Sequence, residues 1–240
     1  MNILNVKEFA RTKNSDTMFI LGCGPSLNQL SKTKRSIISQ NDTISFNWYC
    51  LGDIGIVPRY YILDAQGFRK YERKSTDLSV TTFLTKLRTK YCVVIGRPTE
   101  HRNGYHKNLG EIHHDGIVVH PATPSTMSGG TAVMLNDISE GIFAGISALY
   151  YAIHIAVWMK YKRVVYVGID LYDQSYYFDG GKQWWYLSAE NMRREDQHPT
   201  AMETLRIVKE VRDITPGIEW YVGHEKSLLN RELPLYGWHK

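Results

Sequence analysis

The chain has 240 residues, of which 43% are hydrophobic and 22% are charged. This composition is typical of a globular protein and excludes a disordered, collagen-like or low-complexity chain. The three cysteines lie at long spacings with no Cys-x-x-Cys pair, so they indicate neither a disulfide framework nor a thiolate zinc site. They favour a reducing compartment, and since the amino terminus lacks the pattern of a signal peptide, we expect a cytoplasmic protein.

The net charge of +5 is unevenly distributed along the chain. Residues 1–120 carry 17 Lys and Arg against 10 Asp and Glu, whereas residues 121–240 carry 12 against 14. The densest basic segment is 69–90, in which seven positive residues face only Glu72 and Asp77. A basic half favours an anionic partner such as a nucleotide, a phosphorylated lipid or a membrane surface, although a solvated lysine-rich surface gives the same pattern. The acidic second half argues against nucleic acid.

Short apolar runs alternate with helical patterns along the chain. Most of the runs lack polar alternation, so they predict strands that are covered on both faces. The predicted strands are 18–22, 43–46, 60–63, 91–95, 116–120, 163–168 and 218–222. The predicted helices are 26–39, with Ser26 as its N-cap, then 145–161 and 200–214. This alternation predicts an α/β fold, Rossmann-like, with a mainly parallel sheet and helices on both faces.

Residues 1–240 are predicted to form a single α/β domain, because no repeat or linker interrupts them. Two segments rich in loop-forming residues, at about 96–141 and 173–197, are predicted to be insertions, the first of them a loop or lid. The apolar stretch 141–158 is marginal in length for a membrane span and is predicted to be a buried helix.

Residues 22–26, Gly-Cys-Gly-Pro-Ser, form a glycine turn between the first predicted strand and the first predicted helix. Gly22 and Gly24 would let a ligand approach the backbone closely, and the helix N-terminus would offer free N–H groups to a phosphate. The third glycine of a dinucleotide-binding motif and the Lys-Ser/Thr of a P-loop are both missing. A generic strand-to-helix turn therefore fits this segment almost as well as a nucleotide site.

A second candidate site follows the buried strand 163–168. Asp170 lies where doubly wound sheets place their chemistry, and it fits a ligand contact and a loop-anchoring carboxylate equally. Tyr172 and Tyr176 could donate hydrogen bonds to phosphate oxygens, or they could pack the insertion. Asp170 with Asp173 and Asp179 could instead hold Mg²⁺, although their spacing is loose.

The order of these motifs along the chain resembles the bacterial sialyltransferases of glycosyltransferase family 42, and also the wider group of DUF115-like proteins. The motifs that carry the resemblance are Gly22-Cys-Gly-Pro-Ser-Leu, Phe46-Asn47, Gly145-Ile-Ser, Lys162-Arg-Val-Val-Tyr-Val-Gly-Ile-Asp-Leu-Tyr, Tyr176-Tyr-Phe-Asp, His198, and Ile218-Glu-Trp-Tyr followed by Ser227-Leu-Leu.

The resemblance implies a GT-A-like variant of the fold that needs no metal and no other cofactor. It implies an inverting glycosyltransferase that moves a sialic-acid-like sugar from a CMP-sugar to an acceptor hydroxyl. It assigns the general base to His198 and the binding of the departing phosphate to Tyr172 and Tyr176. It assigns the nucleotide contacts to Gly22, Cys23, Gly24, Pro25, Ser26, Asn47, Asp64, Ser147 and Asp170. The chain departs from the family at Cys23 and Asp64, where the family has asparagines.

The implied partners are a CMP-activated sugar donor and a glycan or glycolipid acceptor of the cell surface, as in lipopolysaccharide or capsule biosynthesis. A peripheral contact with the anionic inner face of the membrane and a homo-oligomer both stay open, and no nucleic acid is expected. Two other functions stay open as well. One is a DUF115-type, Mg-dependent pterin diphosphokinase or another nucleotide-phosphate transferase, which would need acids around Asp170. The other is a non-catalytic nucleotide- or glycan-binding relative, which Cys23 favours.

Overall fold

The computed structural model describes residues 2–64, 86–96, 114–120, 137–142, 147–171, 177 and 199–238. The described part contains eight strands and four α-helices. In chain order these are β1 (Asn2–Ile3), α1 (Val6–Ala10), β2 (Thr17–Leu21), α2 (Lys32–Ser39), β3 (Asp42–Phe46), β4 (Tyr60–Asp64), β5 (Tyr91–Ile95), β6 (Asp115–Val119), α3 (Ala148–Trp158), β7 (Arg163–Val167), α4 (Pro199–Ile214) and β8 (Glu219–Val222).

All eight strands form one parallel sheet in the order β1-β6-β5-β4-β3-β2-β7-β8. The sheet confirms the predicted Rossmann-like α/β fold, and all seven predicted strands are present. The sequence pattern missed β1, which has only two residues and pairs with the start of β6. The predicted insertion 96–141 is interrupted by β6, a strand that lies between β1 and β5.

Side chains from the two faces of the sheet form two apolar clusters. One face packs against α1, α3 and α4 through residues such as Ile20, Ile62 and Val164. The opposite face packs against α2 and the loop after β3 through residues such as Leu21 and Val165. Both faces are covered, and this explains why the strand sequences show no polar alternation.

Helix α3 is surrounded by the core. Nine of its residues are buried, His154 among them, and its apolar character on all sides is that of a central helix. Ser147 caps its first turn by accepting a hydrogen bond from the backbone N–H of Leu149 at 3.2 Å. Among the described residues, no helix is long and apolar enough to cross a membrane, and the 11 residues of α3 fall short of the ~20 that a span needs.

The predicted helix 26–39 is wrong in its first part. Residues Pro25–Gln29 form a 3₁₀ turn, Leu30 is extended, and the α-helix begins only at Lys32. Its N-cap is Ser31, whose hydroxyl accepts from the Lys34 N–H at 3.2 Å. Ser26 cannot cap this helix because its hydroxyl donates to the carboxylate of Asp170.

A buried carboxylate holds the amino edge of the sheet together. Asp42, at the start of β3, has a side chain that is 1% exposed. Its Oδ2 accepts hydrogen bonds from Asn14 N at 2.7 Å, Ser15 N at 3.1 Å and the Tyr161 hydroxyl at 2.7 Å. Its Oδ1 lies 3.2 Å from Arg59 Nε in an ion pair. One carboxylate therefore joins the loop before β2, the start of β4 and the turn between α3 and β7.

We expect Asp42→Ala to lower the free energy of unfolding by about 3–5 kcal/mol, because it leaves the partly buried Arg59 guanidinium without its counter-ion and three donors without an acceptor. Asp16→Ala is the matched control, since Asp16 is half exposed and forms surface ion pairs with Lys13 and Lys162. Urea unfolding of both variants measures the difference. Equal stabilities of the two variants would contradict the structural role of Asp42.

Candidate active site

The strand order places a topological switch point beside β2. From β2 the chain proceeds outward through β3, β4, β5 and β6, and it then returns to place β7 on the other side of β2. In an open parallel sheet, ligands bind at the carboxyl ends of the strands where the direction reverses. Here that position lies between the glycine turn that follows β2 and the segment Gly168–Leu171 that follows β7.

Asp170 and Ser26 join these two strand ends. Asp170 is 3% exposed, and its Oδ2 accepts from the Ser26 N–H at 2.9 Å while its Oδ1 accepts from the Ser26 hydroxyl at 2.5 Å. Charge-assisted hydrogen bonds of this kind are about twice as strong as neutral ones. Of the two roles left open by the sequence, Asp170 therefore has at least that of an anchoring carboxylate.

The two glycines of the turn leave room for the segment that follows β7, which packs directly against them. A Cβ at Gly22 would lie 2.3 Å from the Gly168 carbonyl oxygen, and one at Gly24 would lie 2.4 Å from Asp170 Oδ2. The backbone N–H of Gly22 donates to the Val167 carbonyl, and that of Gly24 donates to the Gly168 carbonyl, both at 2.8 Å. The sequence could not distinguish this packing requirement from close approach of a ligand.

The segment after β8 supports the same strand end from the other side. The buried Ser227 hydroxyl donates to the Ile169 carbonyl at 2.6 Å, and the Leu228 N–H donates to the Asp170 carbonyl at 3.0 Å. The Ser227-Leu-Leu motif thus anchors the loop that carries Asp170. The sequence alone does not reveal this anchoring role.

Asn47 and Cys23 lie next to each other at the ends of β3 and β2, but they differ in exposure. Asn47 is exposed in a left-handed conformation with φ of 54°, and its carbonyl accepts from the Tyr61 hydroxyl at 2.7 Å. Cys23 is 8% exposed, and its Sγ lies 3.8 Å from the Phe46 carbonyl oxygen. Burial raises the pKa of the Cys23 thiol to about 12, so the thiol stays neutral. The Asn47 side chain is available to a ligand, whereas that of Cys23 packs in the core.

The remaining predicted nucleotide residues share the same edge of the sheet. Asp64 is the last residue of β4, two strands from β2. Ser147 caps α3, which runs antiparallel to the strand that follows it and therefore begins at the carboxyl edge. The structure thus brings the glycine turn, Asn47, Asp64, Ser147 and Asp170 to one edge.

Tyr172, Tyr176 and His198 lie outside the described residues. Their described neighbours are on the same edge, because Leu171 follows β7 and α4 begins at Pro199. Tyr177 is buried against the glycine turn, where its N–H donates to the Cys23 carbonyl at 3.0 Å and its hydroxyl donates to the Tyr49 carbonyl at 2.5 Å. Tyr177 is thus a packing residue, and the roles of Tyr172 and Tyr176 stay predictions.

Two described histidines differ in the use of their ring nitrogens. His224 Nδ1 accepts from the Lys226 N–H at 3.2 Å, so its Nε2 donates to Gln29 Oε1 at 2.9 Å. At the end of β6, His120 Nδ1 donates to the Gly96 carbonyl at 2.5 Å, which makes Nε2 its basic nitrogen. Within the described ranges, no group of three His, Cys, Asp or Glu side chains could hold a metal ion.

Comparison with solved structures gives the same fold over most of the chain. The alpha-2,3-sialyltransferase Cst-I of Campylobacter jejuni is 14% identical with a TM-score of 0.51, and the match covers 99% of this chain and 84% of that one. Sialyltransferase CstII of the same organism, in complex with the substrate analogue CMP-3FNeuAc, is 20% identical with a TM-score of 0.50 over 92% and 86% of the two chains. A point variant of CST-II in complex with CMP is 16% identical with a TM-score of 0.52 over the same shares.

No protein-family model matches the sequence, and no curated protein matches it significantly. At these identities the structural matches show that the chain shares the fold of the sialyltransferases.

We expect Gly24→Ala to lower the free energy of unfolding by about 1–3 kcal/mol, because the added methyl group would displace the Asp170 carboxylate. Gly217→Ala is the control, since a Cβ there meets no atom within 4 Å. Urea unfolding of the two variants tests the prediction. A Gly24→Ala protein as stable as Gly217→Ala would mean that the turn is not locked to Asp170.

Proposed function

We propose that this protein is an inverting glycosyltransferase that transfers a sialic-acid-like sugar from a CMP-sugar donor to a hydroxyl group of a surface glycan or glycolipid. The observation that carries the proposal is that the glycine turn, Asn47, Asp64 and Ser147 share the carboxyl edge of a sheet that has the fold of a sialyltransferase solved in complex with CMP. The sequence resemblance assigns these same residues to the nucleotide.

The hydrogen bonds of the glycine turn limit which groups stabilise the departing CMP phosphate. The N–H groups of Gly22, Gly24 and Ser26 already donate to protein oxygens. These N–H groups are therefore not available to the phosphate. The family resemblance assigns the stabilising donors to the hydroxyls of Tyr172 and Tyr176, and the positive N-terminal end of α3 adds to them. Such donors, aimed at the charge that develops on the leaving group, are often the largest contribution to catalysis.

The acceptor hydroxyl must lose its proton as it attacks the donor sugar. The family resemblance assigns this role to His198. Its position in the sequence, immediately before α4, supports the assignment, because the first turn of α4 lies at the carboxyl edge. A histidine suits the role because its ordinary pKa is close to neutral pH. The CMP leaving group is already stabilised as a phosphate, so the proposed reaction requires no metal.

We expect CMP to raise the melting temperature of the protein in the presence of EDTA, because a ligand that binds only the native state stabilises it. At 100 times its Kd, CMP would add about 2.7 kcal/mol. UMP, GMP and ATP, each with and without Mg²⁺, are the comparison ligands in a thermal-shift assay. Stabilisation by ATP with Mg²⁺ and not by CMP would overturn the proposal in favour of a nucleotide-phosphate transferase.

We expect His198→Ala to lower the transfer rate by about 10²–10⁴ while CMP binding stays close to wild type, because the base acts on the acceptor. The wild-type rate should rise with pH through about 6 to 7, since only the neutral imidazole accepts a proton, and the variant should lose this rise. A pH–rate profile of both proteins beside a CMP titration measures these effects. His224→Ala, which removes a histidine with two internal partners, is the control. Wild-type turnover by His198→Ala would place the base at another residue.

A further inference from the structure

A cavity of about 270 Å³ lies on the face of the sheet that α2 covers, opposite to the face covered by α3 and α4. One wall is the loop between β3 and β4, and the other is the segment that leads into β5. The lining residues are Tyr49, Cys50, Leu51, Gly52, Asp53, Ile56, Val57, Pro58, Lys86 and Arg88. Pro58 and Arg88 lie at the amino edge of the sheet because they precede β4 and β5, whereas Tyr49 and Cys50 follow the carboxyl end of β3.

The loop wall of the cavity is held by hydrogen bonds to the core. The buried Tyr49 hydroxyl donates to the Ile56 carbonyl at 3.1 Å, and Tyr61, also buried, accepts from the Cys50 N–H at 3.2 Å. Arg35 on α2 donates to the Ile54 carbonyl at 3.0 Å. A wall that is fixed in this way keeps the cavity formed without a ligand, which lowers the ordering cost of binding.

The opposite wall presents basic side chains to solvent. Lys86, Arg88 and Lys90 are exposed, whereas the intervening Leu87 and Thr89 are buried, so the three cations lie on the same side of the segment. Within the described part of the chain, none of the three forms an ion pair with an acidic residue. Lys86 and Arg88 both line the cavity, and two cations without acidic partners among the described residues attract an anion.

The other charges and surfaces of the cavity narrow the class of ligand. Asp53 is the acidic residue of the lining, and its Oδ1 accepts from the Gly55 N–H at 2.7 Å within its own turn. Lys86 and Arg88 outnumber it, while Ile56, Val57 and Pro58 supply an apolar side. Val57 is 60% exposed beside the cations. The volume is just below the ~300 Å³ lower limit of drug-sized pockets, so it suits a small group.

We propose that this cavity binds a phosphate group carried on a small amphipathic ligand, with Lys86 and Arg88 holding the phosphate and the side of Val57 and Pro58 contacting the ligand body. Guanidinium and ammonium groups together match the charge of −1 to −2 of a phosphate ester better than the single charge of a carboxylate. A lipid headgroup and a soluble phosphate ester offer the same chemistry. The site goes beyond the proposed sugar transfer, and its existence does not depend on that activity.

The test compares two double variants with the same change of charge. Lys86→Gln with Arg88→Gln removes the cations of the cavity. Lys209→Gln with Arg231→Gln removes two exposed cations elsewhere on the protein. Lys209 lies on α4, which covers the opposite face of the sheet, and Arg231 lies in the turn after β8. Glycerol phosphate is titrated by calorimetry at fixed ionic strength, with succinate as the control anion. Co-sedimentation with phosphatidylglycerol vesicles, and with phosphatidylcholine vesicles, forms the second arm. Thermal unfolding of each variant confirms that it is folded.

We expect the cavity variant to bind glycerol phosphate at least about tenfold more weakly than wild type, and the control variant to bind it equally well. If the cavity variant, and not the control variant, also binds phosphatidylglycerol vesicles about 30-fold more weakly than wild type, the ligand phosphate belongs to a lipid. If only the soluble ester responds, the ligand is a soluble metabolite. Equal binding by the two double variants, equal binding of succinate, or no binding of either phosphate probe to wild type would overturn the site.

Discussion

The hydrogen bonds between Asp170 and Ser26 are the interaction on which the arrangement of the carboxyl edge depends. They join two residues that are 144 positions apart and thereby hold the ends of β2 and β7 together at the switch point. The carboxylate occupies space that any side chain at position 24 would need, and it uses the donors of Ser26. The glycine turn is therefore shaped by the protein, and a ligand would meet it already formed.

This constraint extends to the C-terminal part of the chain. Ser227 and Leu228 hold the backbone of Ile169 and Asp170 from the side opposite to the glycine turn, so the loop after β7 is fixed between two segments. Gly223 donates to the Tyr166 carbonyl and continues the contact along β7. Three separate parts of the sequence must be in place before the proposed site has its shape, and its assembly therefore requires β2, β7 and β8 to be paired.

The sequence predicted the fold well because seven of the eight strands are apolar runs, whose signal is local. It missed β1, whose two residues are too few to show a pattern, it missed the five-residue helix α1, and it placed the start of α2 too early. The error at α2 has a nonlocal cause, since the partner of the Ser26 hydroxyl is Asp170, in the loop after the distant strand β7. For the same reason the sequence could name Asp170 and the glycines but not decide between anchoring and ligand contact. The basic cavity was also hidden, because its two walls are brought together by the pairing of β4 with β5.

Asp42 and Asp170 are buried carboxylates at opposite edges of the sheet, and α3 extends from one edge to the other. Asp42 accepts from Tyr161 directly after α3 and so holds the end of that helix at the amino edge. The helix has 11 residues and spans about 16 Å, so its other end reaches the carboxyl edge, where Ser147 caps it. Because α3 is packed on all sides, displacing one end displaces the other. The hydrogen bond from Tyr161 to Asp42, remote from the carboxyl edge, therefore helps to fix the position of α3 and of its N-terminus at that edge.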